Sequence, residues 1–206
     1  MVLPTYECNL RCWYCIQKHE NLFMSDEVLS NVKQLIKRRL DDDTITKFHL
    51  SWFGGEPLLA YDKLLELTVF ASNFAKEKGK SFSSVITTNG TLLTSERIEA
   101  LRQAGVVGYQ ITIDGDRPTH NSVKKLGQMS AYDRTLDNIN LIVRHTHVNL
   151  RFNYTPENLM PHGIIGCLKN KLDKDVLNNI TFTIYKVWQA DIGKIKNDDV
   201  DLLFNL

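Results

Sequence analysis

The 206-residue sequence contains no apolar stretch near the roughly 20 residues needed to cross a bilayer. Its N-terminus lacks the basic and apolar regions of a secretory leader, so neither a membrane span nor export is expected, and the expected compartment is cytoplasmic. Charge of one sign is missing too. The 25 Lys and Arg against 24 Asp and Glu leave a net charge of +1. No global field draws such a chain to nucleic acid or to an anionic membrane, and neither is expected as a partner. Cysteine is scarce. Of only 4, Cys8, Cys12 and Cys15 crowd into one short segment. That distribution excludes a secreted disulfide framework and suits a metal site in a reducing compartment. Low-complexity segments and sequence repeats are absent. What remains, 43% apolar and 24% charged residues, describes one globular domain able to bury its own core.

The apolar pattern alternates between strand and helix. Residues 2–7 read as a first strand. Ser25-Asp26-Glu27 opens a helix, with a hydroxyl cap and acids in its first turn, that ends near Asp41. Phe48 to Phe53 has strand composition and is stopped by Gly54-Gly55, after which Pro57 is placed to start a helix running to about Lys78. A strand ending at Thr88, a helix from Thr94-Ser95-Glu96 to Gly105 and a strand from Val107 to Ile113 repeat the unit. A helix from about Ala131 to His145, a strand from His147 to Tyr154 and a final helix-strand pair ending at Ile180 to Trp188 follow. Strands separated by helices favour a parallel sheet. The period alone leaves a doubly wound open sheet and an incomplete barrel both open; either places chemistry at the carboxyl ends of its strands.

Cys8, Cys12 and Cys15 form C-x3-C-x2-C just after the first strand. Three thiolates so spaced can hold three corners of an iron-sulfur cube and leave the fourth iron for a small molecule. The other reading is structural zinc, because Cys12, Cys15 and His19 also form C-x2-C-x3-H and Cys8 could complete four ligands.

The loop CNLRCWYC closely resembles the cluster loop of radical S-adenosylmethionine enzymes, with Tyr14 as the aromatic residue before the third cysteine. GGEP after the second strand, TTNGTLL after the third and ITIDG at the fourth come in that family's order, so the resemblance spans nearly the whole chain. Within the superfamily it is similar to the peptide-modifying SPASM/anaerobic sulfatase-maturating branch. The resemblance selects the barrel over the open sheet: an α/β partial (β/α)6 TIM-like barrel, parallel strands inside and helices outside. It implies one core domain over residues 1–206. The chain ends within its last helix and no second cysteine group follows Cys15, so a truncated catalytic core without auxiliary-cluster domain is expected.

The same resemblance implies the cofactors, a 4Fe-4S cluster on Cys8, Cys12 and Cys15 and S-adenosylmethionine on its open iron. Gly54, Gly55 and Glu56 correspond to the turn that binds the methionine amino group. Exposed carbonyls and a carboxylate suit that ammonium, although a glycine turn with an acid at a helix N-terminus has a purely structural reading as well. Thr88 and Asn89 fall at the ribose side, and Thr112, sharing a strand face with Asp114, at the cofactor's carboxylate. Where relatives carry H-D-x-x-R, this chain has His120-Asn121-Ser122-Val123-Lys124, so Lys124 brings a point charge in place of a bidentate fork. Arg151 and Asn153 resemble the segment lining the cofactor, with Asn153 nearer the carboxyl end, and Tyr185 to Gln189 falls at the adenine.

His120 reads as a surface-loop histidine, Cys167 as a buried free thiol, and Trp52 and Phe53 as packing residues. Lys37-Arg38-Arg39 beside Asp41-Asp42-Asp43 reads as a solvated helix end. The implied activity is reductive cleavage of S-adenosylmethionine to a 5'-deoxyadenosyl radical that abstracts hydrogen from a peptide or protein side chain. The implied partners are that peptide and a reducing donor such as a flavodoxin or ferredoxin. A radical enzyme acting on a small metabolite and a non-catalytic zinc module are the alternatives.

Overall fold

A computed structural model describes residues 1–155, 168, 171, 172 and 174–187. Its elements run in the order α1 (Asp26–Leu40), β1 (Lys47–Trp52), η1 (Pro57–Ala60), α2 (Tyr61–Glu77), β2 (Ser81–Thr88), α3 (Ser95–Gln103), β3 (Val106–Ile113), α4 (Arg117–Val123), α5 (Ala131–Ile142), β4 (His147–Tyr154), η2 (Lys174–Asn179) and β5 (Ile180–Lys186). The strands form one five-stranded α/β sheet in sequence order. The β1–β2 and β4–β5 pairs are parallel, with Leu50 opposite Ser84 and Asn153 opposite Tyr185. Among the described residues no helix is long and apolar enough to cross a membrane.

The chain divides into two compact units, with a boundary between Tyr109 and Gln110. The first holds residues 1–9, 17–88 and 92–109. Its core is made by one face of α2, Leu64, Leu67, Ala71 and Ala75, with Leu50, Trp52 and Ile86 from β1 and β2. Hydroxyl caps start α1 and α3: the Ser25 side chain accepts from the Val28 amide, and that of Thr94 from the Arg97 amide. Lys80 reaches the other end of α1, its ammonium donating to the carbonyls of Leu40 and Asp42 at 2.5 and 2.6 Å. The second unit holds residues 10–16, 89–91 and 110–206. Here Tyr132, Leu136, Ile139 and Ile142 on α5 are buried, as are Val148, Leu150 and Phe152 on β4.

Three expectations need correction. Residues 2–7 do not form a named strand: the Val2 amide donates to the Ser51 carbonyl and the Val2 carbonyl accepts from the Phe53 amide, a single parallel bridge. The helix expected from Pro57 begins as the 3-10 turn η1, capped by Glu56, and becomes α-helical only at Tyr61. His120 lies in no surface loop. It is fully buried within α4, a seven-residue helix that the sequence hides because it carries no apolar periodicity. Trp52 is core, as expected, its indole N–H donating to Thr68 Oγ1 at 3.1 Å. Cys167, Trp188 and Gln189 lie outside the described residues.

Candidate functional site

In the first unit, the turn after β1 is zipped onto the segment leading to Cys8. The Gly55 amide donates to the Thr5 carbonyl at 3.1 Å and the Glu56 amide to the Glu7 carbonyl at 2.8 Å. This explains both glycines. Gly54 has φ 139°, and a Cβ on Gly55 would stand 2.2 Å from the Glu7 carbonyl oxygen. Gly55→Ala must therefore push backbone off backbone. A loss above about 3 kcal/mol in urea unfolding is expected, the range reached only by core and backbone-strain lesions. Glu56 is fully buried. Its Oε1 accepts from the Leu58 amide at 3.0 Å and from Thr88 Oγ1 at 2.7 Å, so two expected site residues, Glu56 and Thr88, are in contact. The Cys8 amide donates to Glu7 Oε1 at 3.0 Å.

In the second unit, Cys12, Tyr14 and Cys15 share a short loop closed by the Cys15 amide donating to the Cys12 carbonyl at 3.0 Å. The Tyr14 hydroxyl donates to Asp114 Oδ1 at 2.7 Å. Lys124 donates to that hydroxyl at 3.0 Å and also to Asp114 Oδ2. Tyr14, Asp114 and Lys124 are thus brought together, and Lys124 is only 3% exposed. Burial works against the Lys124 ammonium, but Asp114, Tyr14 and Cys12 outweigh it, and its pKa ends raised. Burial pushes the Tyr14 phenol and the Cys12 thiol up, with Lys124 opposing both.

His120 supports this group from behind. The Asp114 amide donates to His120 Nδ1 at 3.2 Å. That nitrogen is an acceptor, so the proton belongs on Nε2. Burial, then Lys124, pulls the ring from 6.5 down to about 2, although Asp114 Oδ2 stands 3.9 Å away, because Lys124 already pairs that carboxylate. A depressed folded-state value stabilises the fold fully above 6.5. Below it, only the unfolded chain takes up the proton, and stability falls by up to about 1.4 kcal/mol per pH unit. His120→Asn retains an acceptor for the Asp114 amide. It should flatten the difference in urea midpoint of the metal-free chain between about pH 7 and about pH 5.

Residues 89–91 are pinned by α5. Asn89 Oδ1 accepts from the Thr91 amide and hydroxyl at 3.0 and 2.6 Å, an Asx turn. Asn138 Nδ2 donates to the Gly90 carbonyl at 2.7 Å and Thr135 Oγ1 to the Asn89 carbonyl at 3.2 Å. Sequence reasoning missed Thr135 and Asn138. Their spacing of three on one helix face was the available signal. Thr112 is half-buried near the end of β3. Asn153, 7% exposed, accepts at Oδ1 from Arg151 Nε at 2.8 Å, while the Arg151 guanidinium lies 4.1 Å from the Tyr185 ring centroid.

The donor chemistry fits an iron-sulfur cluster. Cys8, Cys12 and Cys15 are free thiols, two half-buried and Cys15 exposed, and thiolates are the protein ligands of such clusters. Among the described residues no group of three or more His, Cys, Asp or Glu, Cys8, Cys12 and Cys15 included, is placed to hold a metal ion.

Residues 2–157 match the family profile of the Radical SAM superfamily. The serine-type anaerobic sulfatase-maturating enzyme of Bacteroides thetaiotaomicron is 33% identical over 153 residues, 67% of this chain and 34% of that protein. The Fe-coproporphyrin III synthase of Methanosarcina barkeri is 28% identical over 203 residues, 96% of this chain and 46% of that protein. The chain therefore spans less than half the length of these two curated relatives. Native anSMEcpe with bound AdoMet and Kp18Cys peptide superposes with a TM-score of 0.76 at 20% identity, covering 98% of this chain and 57% of that one, a likeness of fold.

Proposed function

Because the chain belongs to the radical SAM superfamily, whose members use a 4Fe-4S cluster and S-adenosylmethionine, we propose that Cys8, Cys12 and Cys15 are its cluster ligands. The observation that supports this reading most is the backbone zipper between Gly55-Glu56 and Thr5 to Glu7, which joins the turn bearing a buried carboxylate to the residue before Cys8. Three protein ligands leave one iron open to the amino and carboxylate groups of S-adenosylmethionine. When bound, cluster and cofactor supply a one-electron reductive cleavage that yields a 5'-deoxyadenosyl radical able to take hydrogen from a substrate.

The protein's part is to bind and orient. Glu56, with Gly54 and Gly55, accepts from the cofactor's ammonium. Thr112 donates to its carboxylate. Thr88 and Asn89 sit toward the ribose, the first through Glu56 and the second through its Asx turn. Asn153 lines the cofactor from β4, and Tyr14 flanks it between two cluster ligands. The substrate in this reading is a peptide or protein side chain, the electron donor a flavodoxin or ferredoxin, and the compartment the cytoplasm. The similarity to the sulfatase-maturating enzyme favours the peptide. The Fe-coproporphyrin III synthase, matched over 96% of this chain, supports a small-molecule substrate as the second reading.

The test is isotopic. The reconstituted, reduced chain is given S-adenosylmethionine with a cysteine- or serine-containing peptide deuterated at its side-chain carbons, and 5'-deoxyadenosine is analysed by mass. Deuterium in 5'-deoxyadenosine is expected. Unlabelled 5'-deoxyadenosine at the rate seen without peptide would remove the peptide and leave the second reading.

A further inference from the structure

We infer that Tyr14, Asp114 and Lys124 form a buried latch that sets the loop carrying Cys12 and Cys15, with His120 behind it. Lys124 is then a positioning residue for that loop and not a ligand of the cofactor's carboxylate. The inference rests on the cluster reading proposed above.

The hydrogen bonds close a triangle. Lys124 Nζ donates to the phenol and to one oxygen of Asp114, and the phenol donates to the other oxygen. Each side chain contacts the other two. The contacts span 100 and 110 residues of sequence. Local sequence therefore cannot set the loop by itself, and between Cys12 and Cys15 its own backbone supplies one turn hydrogen bond. The latch is anchored from α4: the Lys124 amide donates to the His120 carbonyl at 2.7 Å, and the Asp114 amide to His120 Nδ1. One short helix thus delivers the cation and fixes the backbone of its counter-ion.

The partners of Lys124 favour the positioning role. Asp114 is 1% exposed, Lys124 3% and His120 0%. A buried ion pair pays heavily in lost hydration and is weak evidence of stability; its best-attested use is to fix one geometry. Two of the three Lys124 donors are already directed at Asp114 and Tyr14.

The test uses the full chain with Tyr14→Phe, Lys124→Met and the double variant Asp114→Asn/Lys124→Met, which leaves no unpaired buried charge. Amide hydrogen exchange of residues 10–16 is measured on metal-free protein. Iron content and S-adenosylmethionine affinity per loaded cluster are then measured on reconstituted protein. Exchange about threefold to tenfold faster in each variant is expected, the scale of one lost hydrogen bond. Cluster content should fall with it, while affinity per loaded cluster stays unchanged in the two Lys124 variants. Tyr14→Phe removes a single oxygen and decides the matter if the charge variants fail to fold. Exchange equal to wild type, with affinity per cluster weakened in both Lys124 variants, would overturn the latch and return Lys124 to the cofactor. A wild-type chain that takes up no iron would instead overturn the cluster reading; the exchange measurement, made without metal, would still judge the latch's hold on the loop.

Discussion

Replacing Cys8, Cys12 or Cys15 by alanine, one at a time, is expected to abolish the visible iron-sulfur absorption of the reconstituted chain. Each thiolate is one of only three protein ligands in the proposed cluster, so its loss removes the assembly instead of tuning it. Iron content and absorbance measured side by side should fall together in all three variants. Tyr14 and the Cys15-to-Cys12 turn hold the loop through protein contacts alone, so secondary structure should survive. Cys167→Ala, at a position assigned no metal role, should leave cluster content intact. Full cluster content in the three loop variants would show that the ligands lie elsewhere.

The second large effect is expected at Glu56. Glu56→Gln keeps an oxygen acceptor for the Leu58 amide and for Thr88 Oγ1, and removes only the charge. If the carboxylate meets the cofactor's ammonium, the loss of a charge-assisted hydrogen bond, about 1.5–3 kcal/mol, weakens S-adenosylmethionine binding by about tenfold to a hundredfold. Cluster content should not change. Glu56→Ala should lose the same affinity and also about 1–3 kcal/mol of stability, because the Leu58 amide and Thr88 hydroxyl are left in a buried place without their acceptor. Calorimetric titration and urea unfolding separate the two effects. Normal binding in Glu56→Gln would reduce Glu56 to the cap of η1.

These positions differ in how far the sequence exposes them. Gly54-Gly55-Glu56 is legible because a glycine pair at a strand end marks a turn or a close backbone approach that other residues cannot make. What could not be read was the packing partner: a side chain at either glycine would meet the backbone of Thr5 or Glu7. The helices starting after Ser25 and Thr94 were legible from their caps and first-turn acids, both local in sequence. The helix from Pro57 was half legible, because local propensity does not show the change from 3-10 to α winding at Tyr61.

His120 marks the limit. Nothing within a few residues of it predicts burial, and its environment comes from Tyr132, whose ring centroid is 5.6 Å away, and from the Asp114 amide. Tyr14 was recognised by its place before the third cysteine, but its hydroxyl's bond to a carboxylate 100 residues away is set by the fold alone. Polar contacts of that range leave no periodic trace, whereas a buried strand does. This is why the sheet was readable and the support of the cysteine loop was not.

The central claim is that one loop of three cysteines holds an iron-sulfur cluster, and iron and acid-labile sulfide analysis of the anaerobically reconstituted chain tests it most directly. The account predicts about four iron and about four sulfide per chain, lost together when any of Cys8, Cys12 or Cys15 is replaced. About one zinc per chain with no acid-labile sulfide would contradict it.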